Sequence, residues 1–205
     1  MTARRLAVVT AGLGQPSSTR LLAERLAAAA GTALAGHGVD AHSETVELRD
    51  HAHDLTNNLL TGFAGERLRA ATSAVAEADG VIAVTPIFSA SYSGLFKTFF
   101  DVLDADALAG TPVLIAATGG TARHSLALDH ALRPLFSYLR AIVVPTGVYA
   151  ASEDWGGGTT AHGALAERIE RAAGELAGLV VAREPRRQAD PFAGTPDFAQ
   201  LLAGG

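Results

Sequence analysis

The chain has 205 residues, of which 48% are hydrophobic and 18% charged, a balance that builds a substantial core and excludes a disordered chain. Its 21 acids outnumber its 16 bases, giving a formal net charge of -5, and no basic stripe marks a nucleic-acid binder. Cysteine is absent, which excludes disulfides, thiolate zinc sites and a cysteine nucleophile.

Taken in chain order, the apolar runs fall into two alternating kinds. Residues 6–10 form a short Val-rich run that predicts a buried strand, and it meets Gly12 and Gly14 too soon to be a signal peptide or a membrane span. With no export signal and no cysteines to oxidise, a cytoplasmic protein is expected. Residues 19–35 carry Leu22, Leu26, Ala29 and Ala33 at helical spacing. Residues 40–48 alternate in polarity, as an edge strand does. A helix over 65–78, a strand over 80–85, a helix over 94–105 and a strand over 112–118 follow. A helix over 122–140, a strand over 141–149 and a helix over 161–182 complete the series. The last stretch, 183–205, breaks the rhythm with Pro185, Pro191 and Pro196 and reads as a tail on a domain spanning 1–182.

Strict alternation of strand and helix implies a parallel sheet covered on both faces, joined by right-handed crossovers. Five such units in about 180 residues match the flavodoxin-like three-layer sandwich, with a five-stranded parallel sheet of order 2-1-3-4-5. A (β/α)8 barrel needs more units and roughly 250 residues. In an open parallel sheet, ligands bind beyond the carboxyl ends of the strands where the strand order reverses. The loops after Thr10, Thr85 and Thr118 are therefore the ones to read.

The first loop runs Gly12-Leu13-Gly14-Gln15-Pro16-Ser17-Ser18-Thr19-Arg20 into a helix. A dinucleotide fingerprint fails because Ser17 stands where the third glycine belongs. A Walker A loop fails because Lys97, the chain's single lysine, lies far away. What remains is three hydroxyls and an arginine at a helix N-terminus, where free N–H groups and the helix dipole favour a phosphate. An ordinary N-cap would need one such residue, not three in a row.

The second loop, Pro86-Ile87-Phe88-Ser89-Ala90-Ser91-Tyr92-Ser93, carries two aromatics among small polar residues. It suits either a flat ring lying beside its backbone or aromatics that plug the top of the core. The third loop, Thr118-Gly119-Gly120, lets the backbone approach a ligand or meets an unusual dihedral angle. His124 beyond it reads as an ordinary histidine. Asp50-His51-Ala52-His53-Asp54 lacks the acid spacing of the H-x-H-x-D-H hydrolases and reads as a solvated loop. No G-x-S-x-G nucleophile elbow exists. A phospho-accepting receiver domain is excluded, since Thr10-Ala11 and Thr85-Pro86 occupy the strand ends where its acids belong.

Together these three loops resemble the NAD(P)H-dependent FMN reductase family, over about residues 6–182. More narrowly, they are similar to the subgroup that accompanies luciferase-like flavin monooxygenases. The resemblance implies FMN as cofactor and NAD(P)H as hydride donor. It assigns the FMN phosphate to Ser17, Ser18 and Thr19 with Gln15 and Arg20 nearby. It sets Pro86, Ile87, Phe88 and Ser89 against the flavin ring, and Thr118, Gly119 and Gly120 at its other edge. It further implies a homodimer or homotetramer that passes reduced flavin to a partner monooxygenase. Trp155, ahead of Gly156-Gly157-Gly158, reads as a packing residue that could also close over a flavin face. A quinone or azo-compound reductase and a flavodoxin-type electron carrier share the scaffold and stand as alternatives.

Overall fold

A computed structural model describes residues 3–156 and 159–186; the rest of the predicted tail, 187–205, lies outside the described residues. Strand β1 (Arg4–Thr10) leads to helix α1 (Ser18–Gly36), strand β2 (Ala41–Glu47) and helices α2 (Ala52–Thr61) and α3 (Glu66–Ala76). Strand β3 (Gly80–Phe88) turns back as the short β4 (Ser91–Tyr92) before α4 (Gly94–Asp101). Strand β5 (Pro112–Gly119), helix α5 (Arg133–Tyr138), strands β6 (Ile142–Val143) and β7 (Val148–Ala151), and helices α6 (Glu153–Gly156) and α7 (Thr159–Val181) follow.

The sheet order is β2-β1-β3-β5-β6, with β7 also on β5, and all of these pairs are parallel. This is the expected order 2-1-3-4-5 with the fifth strand in two pieces. Val144-Pro145-Thr146-Gly147 separates the pieces, and proline has no N–H to give to a ladder. The segment expected as one helix over 122–140 is also divided. It comprises a 3-10 turn (Ala122–His124), a π-helical turn (Leu128–Leu132) and α5, which has a proline in its first turn. The expected loop around His51 and His53 is instead a 3-10 turn (Leu48–His51) running into α2, which is anchored by the fully buried Leu55.

Alternate residues of the central strands feed two cores, as buried parallel strands require. Leu6, Val8, Ile82, Val84, Leu114 and Ala116 meet α1 and α7 on one face. Ala7, Val9, Val81, Ala83, Val113 and Ile115 meet α3, α4 and α5 on the other. The buried stripe of α1 is Leu22, Ala23, Leu26, Ala30 and Leu34, while Ala29 and Ala33 are only half-buried beside it. The few aromatics concentrate in the second core, where Phe96–Phe100 and Phe100–Phe136 centroids lie 4.8 and 4.9 Å apart.

At the amino end of the sheet the chain is stitched together by charge. Asp79 accepts from Arg4 at 3.4 Å, from the Arg5 N–H at 2.8 Å and from the Arg186 N–H at 2.7 Å. The Arg186 guanidinium donates to the carbonyls of Ala76, Ala107 and Ala109 and to Thr111 Oγ1. Burial lowers its pKa from the usual arginine range. Arg183 donates to the Gly110 carbonyl, so the segment leaving α7 crosses back under the sheet.

Candidate functional site

The pairing registers bring Thr10 beside Val84, Pro86 beside Thr118, and Gly119 beside Ala151. The loops after β1, β3 and β5 therefore open onto one sheet edge. There they enclose a cavity of about 1090 Å³. Its lining includes Gln15, Ser17, Ser18, Thr19, Arg20, Pro86, Ile87, Phe88, Thr118, Gly119 and Gly120. Of the residues expected at the site, only Ser89 is not in that lining.

The first loop folds tightly back on the start of α1. Ser17 is the N-cap, its Oγ accepting from the Arg20 N–H at 3.2 Å. A Cβ on Gly12 would lie 2.0 Å from Ser17 Oγ and 3.1 Å from the Cβ atoms of Ser17 and Thr19, so only glycine lets the backbone lie this close. Thr19 Oγ1 shares a 2.8 Å hydrogen bond with Thr118 Oγ1, and both side chains are buried. That bond ties the first loop to the third across the position of β3. Thr10 Oγ1, on the neighbouring strand end, is buried with no hydrogen-bond partner among the described residues.

The structure changes the reading of Arg20. Its guanidinium is paired with Glu24 one turn along α1 and with Glu47 at the end of β2. These two partners raise its pKa above the ordinary arginine value. It closes the edge of the cavity and is already neutralised there. Glu24 and Glu47 engage its Nε and one Nη, and the hydroxyls and first N–H groups of α1 stand beside it as donors for an anion.

The second loop is a hairpin. Ile87 pairs with Tyr92 and Phe88 with Ser91, leaving the two-residue turn Ser89-Ala90. Both turn residues have positive φ (49° and 68°), the conformation a primed hairpin turn demands. Each costs about 1 kcal/mol or more for a non-glycine residue. Ser89 thus sits at the hairpin tip, and Ile87 and Phe88 lie on the arm lining the cavity. Thr85 Oγ1 donates to the Pro86 carbonyl at 3.0 Å and accepts from the Ser93 N–H at 3.1 Å, which locks the base of the hairpin. Tyr92 is half-buried and packs on Phe96 at 5.9 Å, so it belongs to the core; Phe88 is 48% exposed at the cavity.

In the third loop the two glycines have different reasons. A Cβ on Gly119 would lie 2.0 Å from Tyr149 Oη, which donates to the Thr121 carbonyl at 2.9 Å. A Cβ on Gly120 would meet nothing within 4 Å. Gly119 is therefore demanded by packing, and Gly120 leaves open space. His124 is exposed on the 3-10 turn and is not in the cavity lining.

Sequence reasoning missed part of the wall: Ser152, after β7, and Leu21, Glu24, Arg25, Glu47 and Arg49 also line the cavity. Trp155, expected to pack and able to close over a flavin face, lines it as well. Trp155 is half-buried against the α1–α7 core, and the Arg25 guanidinium carbon lies 5.0 Å from its ring centroid. Its placement beside α1 depends on the α1–α7 packing, which no local pattern encodes.

A doubly wound sheet with a cavity at its order reversal, closed by a hydroxyl-rich helix start and two backbone-lined loops, defines a flavodoxin-like mononucleotide-binding protein. Residues 4–156 match the model of the NADPH-dependent FMN reductase family. An FMN reductase (NADPH) of Pseudomonas aeruginosa is 41% identical over 175 residues, covering 85% of this chain and 91% of that one. The NADH-dependent FMN reductase SfnF of Pseudomonas fluorescens is 39% identical over 175 residues, with coverage of 85% and 91%. An oxidoreductase of Corynebacterium diphtheriae superposes with a TM-score of 0.85 at 50% identity, covering 90% of this chain and 100% of that one. The chain belongs to the NADPH-dependent FMN reductase family and is an NAD(P)H:FMN oxidoreductase, with FMN and a pyridine nucleotide as its cofactors. No helix among the described residues is long and apolar enough to cross a membrane.

Proposed function

We propose that the cavity at the carboxyl edge of the sheet holds FMN for reduction by a pyridine nucleotide, and that the reduced flavin passes to a separate monooxygenase. The residues fit the group. The loop folded over Gly12 leaves Ser17, Ser18, Thr19 and the first N–H groups of α1 as a cradle for one phosphate, with Gln15 beside it. Pro86, Ile87 and Phe88 form one wall for a flat ring, with Ser89 at the tip of their hairpin, and Thr118, Gly119 and Gly120 form the opposite edge. Arg20 shapes the rim through Glu24 and Glu47.

Bound FMN supplies the hydride-accepting chemistry itself. The protein therefore needs no nucleophile or general base; the described lining contains no Cys, His, Lys or Tyr, and its two carboxylates, Glu24 and Glu47, are both paired with Arg20. The residues hold the ring in place, aim backbone dipoles at its polar edge and keep water from one side. This geometry, a phosphate cradle joined to a ring slot without acid–base machinery, carries the reading.

The transfer to a monooxygenase, a cytoplasmic location, a homodimeric or homotetrameric state and a domain ending near residue 182 rest on the sequence reading. Anaerobic titration of the protein plus FMN with NADH and with NADPH tests the reductase. Bleaching of the flavin band by at least one nucleotide is expected, and an unchanged band with both refutes it. Faster turnover of quinones than of free FMN would favour the quinone reductase alternative. Support of a reductase-less luciferase-like monooxygenase, dependent on catalytic FMN, tests delivery.

A further inference from the structure

The cavity, about 1090 Å³, stands at the upper end of the roughly 300–1,000 Å³ usual for a small-molecule site, and its lining extends past the phosphate cradle and the ring slot. The extra wall lies along α1, where Ser18, Leu21 and Arg25 recur at spacings of three and four and so share one face. That strip leads from the first loop toward Trp155. Three arginines line the cavity, and two are committed. Arg20 is paired with Glu24 and Glu47, and Arg49 with Asp50 at 3.6 Å and the Leu13 carbonyl at 3.5 Å. Arg25 is exposed and makes no hydrogen bond or ion pair with any described residue, and its guanidinium rests over the indole of Trp155. A guanidinium resting on an indole is held in place while its N–H groups stay available.

Arg25 lies seven residues beyond Ser18, about 10 Å along the helix axis at 1.5 Å per residue. FMN has a single phosphate, which the hydroxyl cradle at the start of α1 accounts for. A pyridine dinucleotide brings a pyrophosphate, and NADPH a further 2′-phosphate. We infer that Arg25, held on Trp155 and flanked by Leu21, is the phosphate-receiving subsite for the pyridine nucleotide. This rests on the reductase reading above.

Trp155 is the chain's single tryptophan, so indole emission reports on this wall of the cavity. The flavin-free protein is titrated with ADP-ribose and with 2′-phospho-ADP-ribose while that emission is followed. Saturable change is expected, with a dissociation constant about tenfold weaker in Arg25→Gln, as for one solvent-exposed charge-assisted bond. Arg25→Lys should recover part of the loss, because it restores the charge without the planar fork. An effect confined to 2′-phospho-ADP-ribose assigns Arg25 to the 2′-phosphate, and an effect on both probes assigns it to the pyrophosphate. Either supports the inference. No emission change in the wild type, equal constants in Arg25→Gln, or a loss confined to FMN affinity overturns it. Failure of the reductase reading shows separately, as wild-type protein that oxidises neither NADH nor NADPH in the presence of FMN.

Discussion

Replacing Gly12 with alanine tests the architecture of the phosphate cradle most directly. The new methyl would sit 2.0 Å from Ser17 Oγ, and the contact can be relieved only by turning that hydroxyl away. Ser17 then gives up its bond to the Arg20 N–H, an N-cap loss of about 1 kcal/mol. The contacts at 3.1 Å with the Cβ atoms of Ser17 and Thr19 persist and add about 1–2 kcal/mol of overpacking. A total of about 2–3 kcal/mol lowers the melting temperature of a domain this size by roughly 5–10 °C. FMN affinity, read by quenching of flavin fluorescence, should fall about tenfold or more, because the displaced hydroxyl is one of the cradle's donors. The decisive variant is Gly12→Ala with Ser17→Ala. Ser17→Ala alone costs about 1 kcal/mol, but it also removes the clashing oxygen, so the double variant should be about 1 kcal/mol more stable than the sum of the singles. Wild-type melting and FMN binding in Gly12→Ala, or strict additivity in the double variant, would refute this account of the loop.

Three other substitutions probe separate features. Thr118→Val keeps the shape but leaves Thr19 Oγ1 buried without its partner, which should cost about 1–3 kcal/mol in urea unfolding, and Thr19→Val added to it should restore part of that. Asp79→Ala strands the buried Arg4 guanidinium and releases two N–H groups. A loss of about 3 kcal/mol or more is expected, with flavin affinity of the folded protein unchanged, since the change lies at the opposite sheet end. Burial raises the pKa of Tyr149 above that of a free tyrosine. The unfolded chain therefore ionises first, and the stability held by the neutral phenol is complete below about pH 10 and lost as pH rises through the folded value. Tyr149→Phe should lower stability by about 1 kcal/mol at neutral pH and flatten the alkaline decline, measured as urea midpoints against pH.

Strands β1, β3 and β5 were legible because burial on both faces demands runs of Val, Ile and Leu, and the three loops were legible because they follow those runs. The division of the fifth strand was encoded by Pro145, yet the apolar run masks it. Helix α2 was hidden by its polar start, and only the burial of Leu55 shows what anchors it. The Arg20–Glu24 pair follows from helical spacing, whereas Glu47 reaches Arg20 only through the β1–β2 pairing. Trp155 and Arg25 are 130 positions apart and meet because α6 follows β7 beside α1, a juxtaposition no local pattern contains.

The ionic stitching of Arg4, Asp79, Arg183 and Arg186 occupies the far rim of the sheet from the cavity. Its anchorage draws on the Asp79 carboxylate and on backbone carbonyls outside the cavity lining. The loops that face ligand can thus be re-lined in the course of divergence, trading one bound molecule for another, while the keel of the domain stays fastened at its opposite side.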